Sequence, residues 1–315
     1  MTNSQILARV IAPFTHLLVA VLRLCPTRAR VFFFKSIRAV FNPLISEQLF
    51  EEAFSKGLKR PGTEVQVEWM NVAWHFDAKL SLDLGDYIQR RFFLFGCPEF
   101  MPELLCFCDP STLFFDIGAN IGVVSLGVAT RVPAQNIHAF EPIPETYARM
   151  MANFRNNRPA IAGHNLALSN ADGELRLGTI NTDSGSATVD TAYLQDRLAA
   201  NRISAEMQFV TCPMQKFDTF WETLPSTARA TARKIAVKVD VEGHEMEVLE
   251  GMEGFLRSTS QEIFLICETH FQHIRRIKER LESHGFRLLG PPPQVLESQA
   301  LFGSAKDLTF HRHAR

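Results

Sequence analysis

From residue 112 onward, short apolar runs ending in glycine, acid or proline alternate with stretches of helical period, and few folds accept that rhythm. TLFFDIG (112–118) predicts a buried strand closed by a glycine. NIGVVSLGVATRV (120–132) is apolar nearly all round, as expected of a helix sandwiched against a sheet. NIHAFEP (136–142) predicts a second strand, and Pro144 opens a helix at its first turn with Tyr147, Met151 and Phe154 on one face. AIAGHNLALS (160–169), KIAVKVDVEG (234–243) and EIFLICETH (262–270) predict three more buried strands. EMEVLEGMEGFL (245–256) and FQHIRRIKERLESHG (271–285) predict helices; FRLLG follows the glycine stop of the second, and DLTFHRH (307–313) predicts a last strand. Such alternation implies a mostly parallel sheet with helices on both faces. Ligands of such sheets lie beyond the carboxyl ends of the strands. Asp116, Glu141, Asp240 and Glu268, each at or near the end of its strand, therefore fall on one rim.

The turn after the first strand narrows the ligand. A nicotinamide-binding turn reads G-x-G-x-x-G, whereas here Gly118-Ala119-Asn120-Ile121-Gly122 puts asparagine where the second glycine lets a pyrophosphate approach. Asp116 would add negative charge beside a phosphate. Both facts favour a cationic ligand without a pyrophosphate, and S-adenosylmethionine, with its sulfonium, amino group and ribose hydroxyls, fits. Gly118 lets the backbone pass close to it, Asp116 is positioned for its amino group directly or through water, and Asn120 tolerates unusual backbone angles and can hydrogen-bond it. Glu141 is placed like the acid that grips ribose hydroxyls, and the third strand end near Ala167 and Leu168 would flank the adenine. Each residue alone has a plainer reading, as a turn glycine, a helix-capping acid or a surface acid before proline; their order and spacing together point to the ligand.

FFDIGANIGVVSL (114–126), HAFEPIPETYARMMANFRNN (138–157) and IAVKVDVEGHEMEVLEGM (235–252) resemble the three signature blocks of the FkbM family of S-adenosylmethionine-dependent methyltransferases. The similarity runs over roughly residues 80–312; LDLGDYIQRRFFLFGCPEF (82–100) is similar to the family's lead-in and, more loosely, SGSATV (184–189) to a loop on its substrate side. The resemblance implies a class I methyltransferase Rossmann-like fold, a seven-stranded sheet with one antiparallel strand, and O-methylation of a hydroxyl on a sugar, glycolipid or natural product.

A sugar-type hydroxyl attacks poorly unless a base takes its proton. DVEGHE (240–245) supplies candidates where the fourth strand turns into a helix: His244, kept neutral by the positive end of the helix dipole, and Glu242. A purely structural alternative has Glu242 capping the helix and His244 packed on the sheet. Asp240 is assigned to cofactor positioning, because a carboxylate beside a sulfonium that loses its charge favours the ground state. No dedicated metal ligand is assigned, although Asp240, Glu242 and Glu268 could together serve a metal-assisted variant. The aromatic D/N-P-P turn of base-methylating enzymes is missing after the fourth strand, and Pro291-Pro292-Pro293 is read as a loop.

The rest of the chain says less. Residues 1–60 read as a basic, apolar helical extension, 61–110 as a hairpin (EVQVEWMNVAWHFDAKLSL) with lead-in helices, and 111–315 as the cofactor-binding domain. Residues 1–46 hold six basic residues and no acid, which fits a helical appendage packed on the body, a peripheral contact with an anionic membrane face, or a transit peptide. The apolar stretch VIAPFTHLLVAVL is about 13 residues against the roughly 20 that span a bilayer. The six cysteines are scattered, as in a reducing cytoplasmic compartment, and the net charge of −1 gives no reason to expect a nucleic-acid partner. A small-molecule, glycan or glycolipid acceptor is expected. The competing non-enzymatic reading is a membrane-surface or partner-binding protein with a degenerate cofactor fold.

Overall fold

The computed structural model describes residues 64–70, 77–83, 85–95, 98–192, 194–195, 206–269, 273–290 and 306–314. The helical extension over 1–60, the membrane contact of 1–46 and the loop at 291–293 lie outside them. Among the described residues, no helix is long and apolar enough to cross a membrane. The chain divides into two compact units, Met1–Gly96 and Cys97–Arg315.

In the first unit, β1 (Glu64–Met70) and β2 (Asp77–Asp83) form the antiparallel hairpin that the alternation predicts. The register sets Val65 opposite Leu82 and Val67 opposite Leu80. Helix α1 (Tyr87–Phe95) follows, its first turn capped by Asp86, whose carboxylate accepts the Gln89 N–H at 2.9 Å.

The second unit runs α2 (Met101–Phe107), β3 (Thr112–Ile117), α3 (Val123–Val128), β4 (Ile137–Phe140), α4 (Pro144–Asn157), β5 (Ala162–His164), β6 (Ala167–Ser169), β7 (Gly173–Ile180), β8 (Asp183–Thr188) and β9 (Met207–Lys216). It continues through α5 (Phe217–Thr223), α6 (Ser226–Thr231), β10 (Lys234–Val239), α7 (Glu245–Gly251), α8 (Glu253–Ser258), β11 (Glu262–Thr269), α9 (Ile274–Ser283), β12 (Arg287–Leu289) and β13 (Lys306–Arg312). The main sheet has the order β12-β13-β11-β10-β3-β4-β5. Strands β11, β10, β3, β4 and β5 are parallel, while β13 is antiparallel to both of its neighbours.

Period-two alternation gives the central strands two apolar faces. Phe115, Val237 and Leu265 face one core, filled by Phe217 and Trp221 of α5, Phe255 of α8 and Leu281 of α9. Burying each such side chain contributes about 1.5–3 kcal/mol. On the other face, Phe107 of α2 stacks on Phe264 with ring centroids 5.1 Å apart, and Ser125 of α3 reaches Asp116. Helices thus cover both faces.

The third predicted strand divides in two. Its first half, β5, ends at His164. Its second half, β6, leaves the main sheet and pairs with β9 in a four-stranded sheet of order β6-β9-β7-β8, which gathers the strand-like pieces of residues 170–233. Asn165 makes the junction: its side-chain amide donates to the carbonyl oxygens of Glu141 and Pro142, both at 2.9 Å. The single helix predicted over 245–256 is likewise two, meeting at Met252.

Candidate functional site

The turn between β3 and α3 is set by main-chain crowding. Gly118 has φ +76°, and a Cβ there would stand 1.8 Å from the Asp240 carbonyl oxygen, so only glycine fits. The N–H groups of Gly118 and Ala119 both donate to the Phe140 carbonyl, which ties the turn to the end of β4. Asn120 is also left-handed, at φ 51°, as the sequence suggested it could be. Gly122 opens α3 at φ +84°, where a Cβ would meet the Phe154 ring at 2.4 Å.

Glu141, one residue past β4, faces this turn. One carboxylate oxygen accepts the Asn120 N–H at 2.9 Å and the other the Ile143 N–H at 3.0 Å. Each oxygen thereby keeps acceptor capacity for a further donor. Burial pushes the Glu141 carboxyl up to about 7, against the pull of the two N–H groups. Asn120 also brings the second sheet to the site, because its side-chain amide donates to Ser184 of β8 at 3.2 Å.

Asp116 is 0% exposed and lies beneath the turn, not on its surface. It accepts hydrogen bonds from the Ser125 N–H (3.1 Å) and hydroxyl (2.7 Å), and its other oxygen is 3.4 Å from Lys238 Nζ. The carboxylate anticipated to meet the ligand amino group directly or through water is thus buried against Ser125 and Lys238. Lys238, which sequence reasoning passed over, is the buried cation that organises the rim. Its ammonium donates to the Gly118 carbonyl at 2.7 Å and sits 3.1 Å from Asp240. Burial favours its neutral form, but Asp240 and Asp116 reverse that and hold its pKa above the ordinary value. The signal was legible: one charge inside an otherwise apolar central strand requires a partner.

Asp240, Glu242 and Glu268 form a second group, with carboxylate oxygens within 4.8 Å of one another. Burial, then the neighbouring Asp240, raises the Glu268 pKa well above its ordinary value, and its side chain hydrogen-bonds Asp240. Glu242 adopts φ 51°, a strained backbone for a residue that carries a Cβ. The N-cap of α7, His244, makes no side-chain cap hydrogen bond, and Glu245 folds back to accept the Gly243 N–H at 2.8 Å, ahead of the helix.

His244 is drawn away from this group. Its Nε2 lies 2.9 Å from the Ser169 hydroxyl on β6 and its Nδ1 3.6 Å from Glu247. Its pKa is lowered, chiefly by burial and against the acids Glu247 and Glu250. Burial shifts it toward the neutral form expected of it, while its two ring nitrogens are directed to Ser169 and Glu247. Ala167 and Leu168 are not on the rim either. With β5 ending at His164, they fall in β6, where Leu168 is buried in the main core and Ala167 in a smaller one with Ile143, Leu177 and Cys212. The site thus combines a glycine turn, a buried carboxylate with spare acceptor capacity and an acidic rim steadied by one lysine. It suits a cationic ligand that carries hydroxyls.

Residues 116–288 match the family model described as the methyltransferase FkbM domain. The chain is 27% identical over 187 residues to Methyltransferase 1 of Beauveria bassiana, covering 56% of this chain and 69% of that protein. It is 27% identical over 198 residues to the hexuronic acid methyltransferase AglP of Haloferax volcanii, covering 62% and 71%. Over 165 residues it is 30% identical to the 31-O-demethyl-FK506 methyltransferase FkbM of Streptomyces tacrolimicus, covering 46% and 60%.

Proposed function

Because this chain belongs to the FkbM methyltransferase family, we propose that it uses S-adenosylmethionine to methylate a hydroxyl of a sugar, glycolipid or natural product. The observation that carries the reading is the Glu141 carboxylate, fixed by the Asn120 and Ile143 N–H groups with one acceptor position left on each oxygen. That is the geometry needed to take two vicinal ribose hydroxyls. Two relatives named as methyltransferases of a hexuronic acid and of 31-O-demethyl-FK506 support the acceptor class.

S-adenosylmethionine, when bound, supplies a methyl group activated on a positively charged sulfur. Gly118, lacking a side chain, lets the turn close against the Asp240 main chain, and Asp240 offers negative charge at the rim. Glu141 would hold the sugar, and Asn120 would fix the turn over it. Lys238 balances Asp240 and burial biases Glu268 toward its neutral form, so Glu242 is assigned to receive the proton of the acceptor hydroxyl. His244, engaged by Ser169 and Glu247, is assigned to anchor the turn.

Calorimetric titration with S-adenosylmethionine tests the reading. The intact chain should bind in the micromolar range and Glu141→Ala at least tenfold more weakly; equal affinity of the two would overturn it. Isotopically labelled methyl donor added to glycan and lipid extracts then identifies the acceptor. The close grouping of Asp240, Glu242 and Glu268 favours one second reading, in which these hard oxygen donors hold a magnesium-class ion that orients the acceptor. Activity that survives exhaustive chelation removes it.

A further inference from the structure

We propose that Glu262, His311 and His313 form a zinc-class metal site at the end of the main sheet opposite the carboxylate rim. Glu262 opens β11, and the antiparallel strand β13 runs past it with Ile263 paired to Arg312. Residues two apart on a strand project to the same face, so the sequence His311-Arg312-His313 sends both imidazoles to the side of Glu262 while Arg312 points the other way. The outcome is a convergent set. His311 Nε2 lies 2.8 Å from a Glu262 carboxylate oxygen, His313 Nδ1 lies 4.0 Å from the same oxygen, and one ligand atom from each residue falls within 4.8 Å of the other two.

Nitrogen and carboxylate donors of this kind suit zinc, whose ligands at about 2.0–2.1 Å stand roughly 3.3 Å apart in a tetrahedral shell. Closing the set to that spacing requires movement mainly of His313, whose side chain is 87% exposed and meets the His311 ring edge-on with centroids 4.4 Å apart. A plain ion pair would explain His311 but not the second histidine, because an exposed pair in water contributes little. The nearest strand-neighbour cation does not occupy the place: Lys234, opposite Glu262 on β10, is turned to Asp109 at 2.9 Å and to the Phe107 carbonyl at 3.0 Å. Beneath His311, Phe107 presents its ring edge and supplies an apolar floor. Glu262 stands six residues before Glu268 along β11, about 20 Å at strand rise. The site is therefore separate from the rim, and its bound ion would clip β13 to β11 and leave at least one position open to water.

The test uses the full chain, stripped with chelator and desalted, then titrated with zinc chloride, with cobalt chloride as a spectroscopic stand-in. One ion per chain should bind with micromolar affinity, cobalt should give visible bands of a four- or five-coordinate site, and excess zinc should raise the melting temperature by about 5 °C. His313→Ala, at an exposed position, keeps the fold and should weaken zinc at least tenfold, as should Glu262→Gln, whereas Asp240→Asn should leave the affinity unchanged. Absence of binding, binding undiminished by His313→Ala, or binding abolished instead by Asp240→Asn would each overturn the proposal.

Discussion

Lys238 donates to the Gly118 carbonyl oxygen at 2.7 Å, so a buried cation on β10 fastens the turn that ends β3. The same ammonium reaches Asp116 below and Asp240 beside it. Two signature blocks far apart in the sequence are joined here by one charge.

Lys238→Met should accordingly lower stability by about 3 kcal/mol, because it leaves the fully buried Asp116 without its cation. The double variant Lys238→Met/Asp116→Asn should cost less than the sum of the two single changes, since the stranded charge is then gone. Urea unfolding of the four proteins measures this, and strict additivity would refute the assignment.

Glu141 gives the ligand site a pH dependence. Its pKa rises from an ordinary 4.5 to about 7 on folding, so the native state retains a proton that the unfolded chain releases. The stability it contributes is complete below 4.5 and is lost as pH rises to about 7, a change of about 3 kcal/mol. Hydroxyl donors need the ionised form, so affinity for S-adenosylmethionine should climb through the same window and level off above 7. Glu141→Gln should bind weakly with a flat pH profile, as titration calorimetry at several pH values will show.

A pair of histidines pulls the other way. His138 and His164 stack among Phe115, Phe140 and Phe220 with ring nitrogens 3.2 Å apart. Burial lowers both from 6.5 to about 4, aided at His138 by its neighbour. Their contribution to stability is full above 6.5 and is lost as pH falls to 4, about 3 kcal/mol for each. Between 4.5 and 6.5 this opposes the Glu141 trend. In Glu141→Gln the histidine limb should stand exposed, with stability rising steeply from pH 4 to 6.5; His138→Phe should flatten it. Thermal melts across that range decide.

Glu242 carries strain and function together. Glycine relieves its φ of 51°, and the change also removes one of three crowded carboxylates. Glu242→Gly should stabilise the protein by roughly 1 kcal/mol while lowering methyl transfer by on the order of 100-fold. Loss of both stability and activity would assign Glu242 a structural role.

Features tied to the local chain were legible in the sequence. The glycine turn, the helix begun by Pro144 and acids closing apolar runs follow from φ restrictions and period-two burial, which neighbouring residues dictate. Partners brought from afar were not. Nothing near His244 announces Ser169 on another sheet, and nothing near Ala167 shows that β9 will draw the chain out of the main sheet. Lys238 lies between these cases. Its burial could be read from KIAVKV, but its three partners depend on the register of β10 against β3.

The run from Ala162 to Ser169 crosses from one sheet to the other with no loop between, and consecutive side chains at its far end serve different interiors, Leu168 the large one and Ala167 the small. Inserting or deleting one residue between His164 and Ala167 would exchange those two positions, forcing a leucine into room fitted for an alanine. Length variation, which most connections absorb, is barred from this junction.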